Sequence, residues 1–217
     1  MSKLVLRCCR SDFTSRNGFV WPSEVGAVVV APDWKPTEEC GNGLHGWLYG
    51  HGDITCVTYW EEVNSKWLVL EVDDVIELDG KCKFERAVVR FAGGKSGAAA
   101  FLLENEPQAE SGKVIGLALS VGDEKSVVVG TLGIATVGAY GTATVGDYGT
   151  ATVGYKGTAT VGSGGTATGG ENAELRIRWC DYGAGRYRTE IAYVGENGIK
   201  PNVAYRLNDE HRFVEVV

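Results

Sequence analysis

Residues 141–164 read GTATVGDYGTATVGYKGTATVGSG, and this stretch decides the fold of the second half of the chain. It consists of three consecutive octads, and glycine keeps the same eight-residue spacing from Gly122 to Gly170. A fixed short period is typical of stacked architectures in which each unit contacts only its neighbours. We therefore predict a short β-solenoid, with an antiparallel meander of eight-residue hairpins as the competing interpretation.

Each octad contains a strand and a corner. The five residues G-T-A-T-V alternate with period two, which directs Ala and Val inward and both threonines outward. The next three residues, such as 146–148, turn the corner, and we expect glycine to supply the unusual backbone angles there. Two octads form one coil, which gives about three and a half coils and a length under about 20 Å. The predicted stacking pairs are Thr142 on Thr158, Thr144 on Thr160, Thr150 on Thr166 and Thr152 on Thr168.

The outward threonines resemble the T-x-T ladders of ice-binding solenoids, and the octads resemble half-units of ice-nucleation repeats. We call each T-x-T strand a rung, and each face is expected to carry about two complete rungs, which together extend on the order of 10 Å along the stack. We expect this area to be too small to organise ice, which favours a structural stub or a docking face. Residues 113–172 carry few charges of either sign, which disfavours mimicry of DNA.

The predicted fold class is mainly β. We divide the chain into an α+β domain over residues 1–112, the octapeptide-repeat solenoid over 113–172 and a β-meander cap over 173–217. Within the first domain, residues 66–72 and 87–91 have the β-branched and apolar content of strands, and residues 95–104 form the helix candidate.

The bulk properties limit the function classes. The 28 acidic and 21 basic side chains leave a net charge of −7, which argues against a surface that follows nucleic-acid phosphates. We find neither a signal-type segment nor an apolar run long enough to cross a membrane. The six cysteines form no CxxC pair, and we expect them to be reduced in the cytoplasm of a bacterial host cell.

The densest group of reactive side chains lies in residues 40–56, CGNGLHGWLYGHGDITC. One interpretation is a zinc site of Cys40, His45, His51 and Cys56, but its spacing matches no recognised zinc knuckle, so we assign no metal and no cofactor. Glycines also permit close approach to a phosphate, and the remaining interpretation is a bent structural loop. The predicted ligand-binding residues are Asn42, Gly43, His45, Trp47, His51 and Asp53.

Several blocks together carry a family resemblance. They are GFVWP from Gly18, CGNGLHG from Cys40, VLEVD from Val69, GKCKF from Gly80, the octads, GIKPNVAYRLN from Gly198 and FVEV from Phe213. This combination resembles bacteriophage and prophage proteins that join an N-terminal domain of unknown function to GTATAG-like octads and a short β cap. The resemblance implies no activity and therefore no catalytic residues.

The first hypothesis is a non-enzymatic phage or prophage protein that binds a host component, as a counter-defence protein acting on a defence factor or its nucleotide signal. The alternatives are an enzyme of ADP-ribosyltransferase type that uses NAD or another nucleotide, with Glu71 as its carboxylate, and a structural module that self-assembles through the solenoid. The predicted partners are a host protein or a small nucleotide, and also a second copy of the chain. We predict no direct binding to nucleic acid or to a membrane.

Overall fold

The structure is a computed structural model that describes residues 2–216. The chain forms two units, one up to Ile115 and the other from Gly116 onward. The mainly β fold class, with an N-terminal antiparallel sheet followed by a β-solenoid, is confirmed.

The described residues of the N-terminal unit form seven strands and one α-helix. The predicted strands at residues 66–72 and 87–91 and the predicted helix are all present. The elements are β1 (Lys3–Cys9), β2 (Val28–Val30), β3 (Leu44–Leu48), β4 (Lys66–Val72), β5 (Ile76–Leu78), β6 (Lys81–Phe84), β7 (Arg86–Gly93) and α1 (Lys95–Asn105).

One antiparallel sheet organises this unit, with the strand order β2-β7-β4-β1-β3-β6-β5. The central strand β1 pairs with β4 over its full length and with β3 at Val5 and Leu6. Val5 and Leu68 are buried in the same apolar core. Gly46 of β3 lies so close to Val5 and to the Leu6 backbone that a Cβ atom would not fit, which lets β3 run tightly against β1.

The C-terminal unit begins with eight solenoid strands arranged as about four coils. They are β8 (Ala118–Val121), β9 (Ser126–Val129), β10 (Ile134–Val137), β11 (Thr142–Val145), β12 (Thr150–Val153), β13 (Thr158–Val161), β14 (Thr166–Gly169) and β15 (Glu174–Asp181). Even-numbered strands pair in parallel in one sheet and odd-numbered strands in the other. All four predicted threonine stacking pairs are therefore confirmed, and the antiparallel meander is wrong.

The solenoid interior is filled by the small side chains of the octads. Ala143, Ala151 and Ala159 have no exposed surface, and Val145 and Val161 are buried beside them. Outward threonines of the same strands are only half-buried. This alternation follows from the period-two geometry of a strand and confirms the predicted inward and outward faces.

The corners differ from the prediction that glycine supplies their unusual backbone angles. The left-handed residue is the third corner residue, such as Tyr148 with φ of 56°. Its N–H donates to a carbonyl oxygen of the next coil, Ser163 O at 2.9 Å. The corner glycine has a different role, since a Cβ on Gly146 would lie 2.6 Å from the backbone nitrogen of Thr131 in the preceding coil. Glycine at this position therefore permits close stacking of the coils.

Three further strands cover the last coil: β16 (Arg186–Tyr193), β17 (Ala204–Leu207) and β18 (Phe213–Glu215). β16 pairs antiparallel with β15, and β17 pairs antiparallel with β14, so both sheets receive an antiparallel end strand. Asn197 and Gly198 both have positive φ, as expected of a tight turn, but the strands before and after them belong to different sheets. Because the end strands use the backbone groups of the last coil, they protect its edge from pairing with other chains.

Candidate functional site

The outward side of β8, β10, β12 and β14, here called the first face, carries an unbroken column of hydroxyl groups. Ser120 pairs with Thr136, Thr136 with Thr152, and Thr152 with Thr168. Parallel in-register strands repeat at about 4.8 Å, so the column extends about 14 Å across all four coils. Counting only complete T-x-T rungs underestimated this ladder, because Ser120 and Thr136 lie in octads that lack the full motif.

The second face, formed by the outward side of β9, β11, β13 and β15, is interrupted by charge. Its two T-x-T rungs stack in register, but the next rung is Glu174 and Arg176. These two side chains form a salt bridge with an N–O distance of 3.0 Å. The four strands of the first face contain no charged residue. The first face is therefore the more uniform of the two.

A second candidate lies in the N-terminal unit, where a cavity of about 520 Å³ is bounded by side chains from β1, β3, β6 and the adjoining loops. We call it the N-terminal cavity. The lining residues that matter here are Arg7, Arg16, Trp21, His45, Trp47 and Lys81. The antiparallel pairing of β3 with β1 on one side and β6 on the other brings these distant parts of the sequence together.

Arg7 is the most deeply buried cation of the N-terminal cavity, with 8% of its surface exposed. Its guanidinium lies 5.0 Å from the ring centre of Trp21, and its Nη1 donates to the carbonyl oxygen of His45 at 3.2 Å. Its Nε is buried and has no hydrogen-bond partner among the described residues. The site therefore holds an unused donor, which is uncommon in a folded protein.

His45 lies beside Arg7 in a positively charged environment. Burial, and then the charges of Lys81, Arg7 and Lys83, lower the pKa of His45 to about 4. The imidazole is therefore neutral at physiological pH. Its Nε2 is buried and, within residues 2–216, has no hydrogen-bond partner.

The structure places four of the six predicted ligand-binding residues on the N-terminal cavity: Asn42, Gly43, His45 and Trp47. Trp47 is buried, stacks on Trp67 with ring centres 6.0 Å apart, and donates from its indole nitrogen to the carbonyl oxygen of Asp53 at 3.0 Å. Asn42 donates to the Asp33 carboxylate at 3.3 Å. These residues shape the cavity wall, and their role in binding remains a prediction.

The other two predicted residues, His51 and Asp53, do not line this cavity. His51 Nε2 accepts a hydrogen bond from the Glu110 backbone at 3.3 Å. The Asp53 carboxylate accepts from the backbone nitrogen and the hydroxyl of Thr55, both at 2.8 Å, and so caps a short 3₁₀ turn. Both side chains thus have local structural partners.

The cysteines and histidines of the same segment are not arranged as a metal centre. Cys40, His45 and Cys56 line the N-terminal cavity without His51, and Cys40 Sγ instead accepts a hydrogen bond from Lys81 Nζ at 3.1 Å. In the part of the chain that the structure describes, no group of three or more His, Cys, Asp or Glu side chains is placed to hold a metal ion. The spacing in the sequence does not bring the four side chains together, because His51 is directed toward Glu110.

Sequence reasoning missed Arg7, Arg16 and Lys81. Arg7 lies within a run that reads as an ordinary strand, and its distance in sequence from His45 hides their proximity. The sequence offered one weak signal, a single charged residue inside the otherwise apolar run LVLRCC, because charged side chains are seldom buried without a partner.

Comparison with known proteins separates the two halves of the chain. Residues 3–104 match a domain of unknown function (DUF7666). The chain therefore consists of a DUF7666 domain followed by a β-solenoid of about four coils. No solved structure matches the chain.

The similar curated proteins are ice nucleation proteins. The chain is 33% identical to ice nucleation protein InaU of Pantoea ananas over 106 residues, which is 47% of this chain and 10% of that protein. It is 35% identical to an ice nucleation protein of Pseudomonas fluorescens over 112 residues, covering 50% of this chain and 9% of that protein. The chain thus spans about a tenth of the length of the curated relatives it matches.

These relatives overturn the functional prediction. The hypothesis of a phage or prophage counter-defence protein that binds a host component is wrong, because the similar proteins are named for ice nucleation. The two alternatives, an NAD-using enzyme and a self-assembly module, gain no support from them. The prediction failed because octad repeats are a scaffold pattern, which different kinds of protein share. No helix among the described residues is long and apolar enough to span a membrane.

Proposed function

We propose that the solenoid binds ice through its first face and promotes freezing, as a small surface of the ice-nucleation type. The observation that carries this proposal is the column Ser120–Thr136–Thr152–Thr168, in register across all four coils. The similarity to ice nucleation proteins supports the proposal from a separate direction.

The physical basis is the regularity of the hydroxyl groups. In-register strands repeat at about 4.8 Å, and alternate residues along a strand are about 6.7 Å apart, so the two T-x-T rungs on β12 and β14 form a small planar lattice. Each hydroxyl can both donate and accept a hydrogen bond, and bridged waters retain most of the enthalpy of a direct bond. A rigid lattice therefore holds neighbouring waters in fixed relative positions before ice forms.

The absence of charge on the four strands of the first face strengthens this assignment. An ionised side chain orients water around itself in a geometry that competes with an extended lattice. The second face ends in the Glu174–Arg176 pair, whereas the first face carries only Ala, Ser, Ile and Thr side chains. We therefore assign ice contact to the first face.

The short length of the solenoid limits the temperature at which it can trigger freezing. A face about 14 Å long along the stack orders only a small patch of water. A small ice nucleus grows instead of melting only at strong supercooling, so a single chain should trigger freezing only well below the melting point of ice. Contacts between chains would extend the patch and raise the freezing temperature.

The test is droplet freezing with the full chain. We expect droplets that contain the protein to freeze at a higher median temperature than buffer droplets. The variant Thr152→Lys/Thr168→Lys places two charges in the hydroxyl column and should remove this difference. The matched variant Thr144→Lys/Thr160→Lys places two charges on the second face and should retain it.

Two outcomes would contradict the proposal. One is that droplets with the unmodified protein freeze at the same temperature as buffer. The other is an unchanged freezing temperature in Thr152→Lys/Thr168→Lys when circular dichroism shows that the variant is folded. Equal loss in both double variants would refute the assignment to the first face.

A further inference from the structure

We propose that the N-terminal cavity binds a small organic anion that carries a hydroxyl group next to its charged group, as a hydroxycarboxylate or a polyol phosphate does. This inference concerns a different unit from the proposed ice-binding face, and it stands or falls independently of that function. It rests on the charge of the cavity, on two buried polar atoms that lack partners, and on the size and walls of the cavity.

The charge of the cavity differs in sign from that of the whole protein. Acidic side chains outnumber basic ones in the chain by 28 to 21. Among residues 2–216 the lining of the cavity reverses this balance, with the basic residues Arg7, Arg16 and Lys81 against one acidic residue, Asp33. A concave site lined by one sign of charge focuses the electrostatic potential and attracts ions of the opposite sign. The cavity therefore favours an anion.

Arg7 supplies the strongest requirement for an anionic ligand. It is nine-tenths buried, and no carboxylate among residues 2–216 forms a salt bridge with it. A buried charge without a counter-charge is costly, and proteins that retain one commonly pair it with a ligand or an ion. Arg7 lines the cavity, and its unpartnered Nε is covered by neighbouring atoms in this structure, so a small turn of the side chain would let it donate to an anionic oxygen there.

His45 supplies the second requirement, which is a donor on the ligand. A hydrogen bond to the Gly43 backbone raises the pKa of His45, and because Nε2 has no partner we assign this bond, and the proton of the neutral ring, to Nδ1. Nε2 then carries a lone pair without a partner and is covered by neighbouring atoms, in a residue that lines the same cavity. A neutral imidazole nitrogen accepts a hydrogen bond from a hydroxyl group but repels an anionic oxygen. One ligand therefore has to present an anionic oxygen to Arg7 and a hydroxyl to His45.

Lys83 adds positive potential behind this site without occupying it. It lies opposite His45 on the neighbouring strand β6 and is fully buried. Its Nζ donates to the Thr37 hydroxyl at 3.2 Å and to the Glu39 carbonyl oxygen at 2.9 Å, which are both neutral groups. Because its charge is not cancelled locally, it reinforces the attraction of an anion to the cavity.

The dimensions and walls of the cavity limit the ligand to a small molecule. Its volume of about 520 Å³ lies within the range of ordinary small-molecule sites. The partly buried Phe19 and the edges of the buried Trp21 and Trp47 belong to its apolar wall, against which a short carbon chain can pack. These features match a compact anion with a few carbon atoms rather than a polymer.

The test is isothermal titration calorimetry of the full chain with four probes: glycerol 3-phosphate, D-glycerate, glycerol and sulfate. We expect glycerol 3-phosphate or D-glycerate to bind at least about tenfold more tightly than either glycerol or sulfate, because glycerol lacks the anionic group and sulfate lacks the hydroxyl. Binding of the first or of the second probe distinguishes a phosphate ligand from a carboxylate ligand. Failure of both probes to bind, or equal affinity for glycerol, overturns the proposal.

Variants locate the binding. Arg7→Lys keeps the charge but loses the Nε donor, and we expect about tenfold weaker binding. Arg16→Gln at the cavity should weaken binding several-fold, whereas the matched Arg86→Gln on the far strand β7 should not, although it removes the same charge. Equal effects of Arg16→Gln and Arg86→Gln would show that only net charge matters, which contradicts a site at this cavity.

A measurement on the unmodified protein covers the case in which Arg7→Lys fails to fold. The Arg7 Nε–H resonance and the His45 Nε2 nitrogen resonance should both shift when the bound probe is added. If a probe binds and neither resonance moves, the ligand lies elsewhere and the proposal is wrong.

Discussion

The stacking of the solenoid coils can be tested by adding one methyl group at a corner. An ideal Cβ on Gly146 would lie 2.6 Å from Thr131 N and 2.8 Å from the Gly130 carbonyl carbon. Both atoms belong to the backbone of the preceding coil, so no side-chain rotation relieves the overlap. We expect Gly146→Ala to lower the free energy of unfolding of the coil by about 2 kcal/mol, in the range measured for overpacked cores.

The chain contains a matched control at the equivalent octad position. Gly122 occupies the first corner, where no coil precedes it, and a Cβ there meets no atom within 4 Å. Its backbone is not left-handed, so alanine fits without strain. Gly122→Ala should therefore be neutral or should stabilise the protein by about 0.5 kcal/mol, because alanine restricts the unfolded chain.

Hydrogen exchange followed by mass spectrometry is the suitable assay, because it reports on the solenoid separately from the N-terminal unit. A loss of about 2 kcal/mol corresponds to roughly 30-fold faster exchange in peptides from β11 to β13. The same peptides in Gly122→Ala should exchange at the unmodified rate. Equal exchange in Gly146→Ala and Gly122→Ala would refute the claim that glycine is needed for coil contact.

Three further predictions concern titration, thiol reactivity and backbone strain. The pKa of His45 is lowered to about 4 in the folded protein, so the unfolded chain takes up this proton first as the pH falls. The free energy of unfolding should therefore drop by about 2 kcal/mol as the pH falls from about 6.5 to about 4. Urea titrations of His45→Gln over the same range should lack this drop. Burial raises the pKa of the Cys82 thiol to about 12, whereas Cys40 is exposed. Iodoacetamide at pH 8 should therefore label Cys40 and leave Cys82 unlabelled in peptide maps. Rapid labelling of Cys82 would contradict the fold. Glu124 has a left-handed φ of 58°, and glycine occupies the equivalent corner position at Gly164. Glu124→Gly should therefore raise the free energy of unfolding of the solenoid by about 0.5 kcal/mol. Slower hydrogen exchange in the neighbouring peptides would verify this prediction.

The solenoid was largely predictable from the sequence because its determinants are local. The alternation in G-T-A-T-V fixes which side chains point inward, and the eight-residue period fixes that Thr142 stacks on Thr158. The corners were predicted incorrectly, because the close approach of Gly146 to Thr131 is a contact between coils. The left-handed backbone of Tyr148 is likewise supported by a bond to the following coil.

The N-terminal cavity was only partly predictable. Residues such as Asn42 and His45 stand out because glycine, histidine and cysteine cluster in one segment. Arg7 does not stand out, since the pairing of β1 with β3 that places it beside His45 depends on the whole sheet. Asp53 was misjudged for the opposite reason: its carboxylate is satisfied by Thr55, two residues away.

The area of the first face was underestimated because the sequence analysis counted only complete T-x-T rungs. Two T-x-T rungs on each face were predicted and are present, and their small area was taken as evidence against ice. Register across strands adds Ser120 and Thr136 to the column, so the ordered hydroxyls span all four coils. Residues outside the T-x-T motif therefore contribute hydroxyl groups to the first face, and a count of complete motifs misses them.

The most direct test of ice contact is the partitioning of the protein between slowly growing ice and the remaining liquid. We predict that the unmodified chain is enriched in the ice fraction and that Thr152→Lys/Thr168→Lys is excluded from it, because its charges break the hydroxyl column of the first face. Exclusion of the unmodified chain to the same extent as this variant would contradict the proposal that the solenoid binds ice.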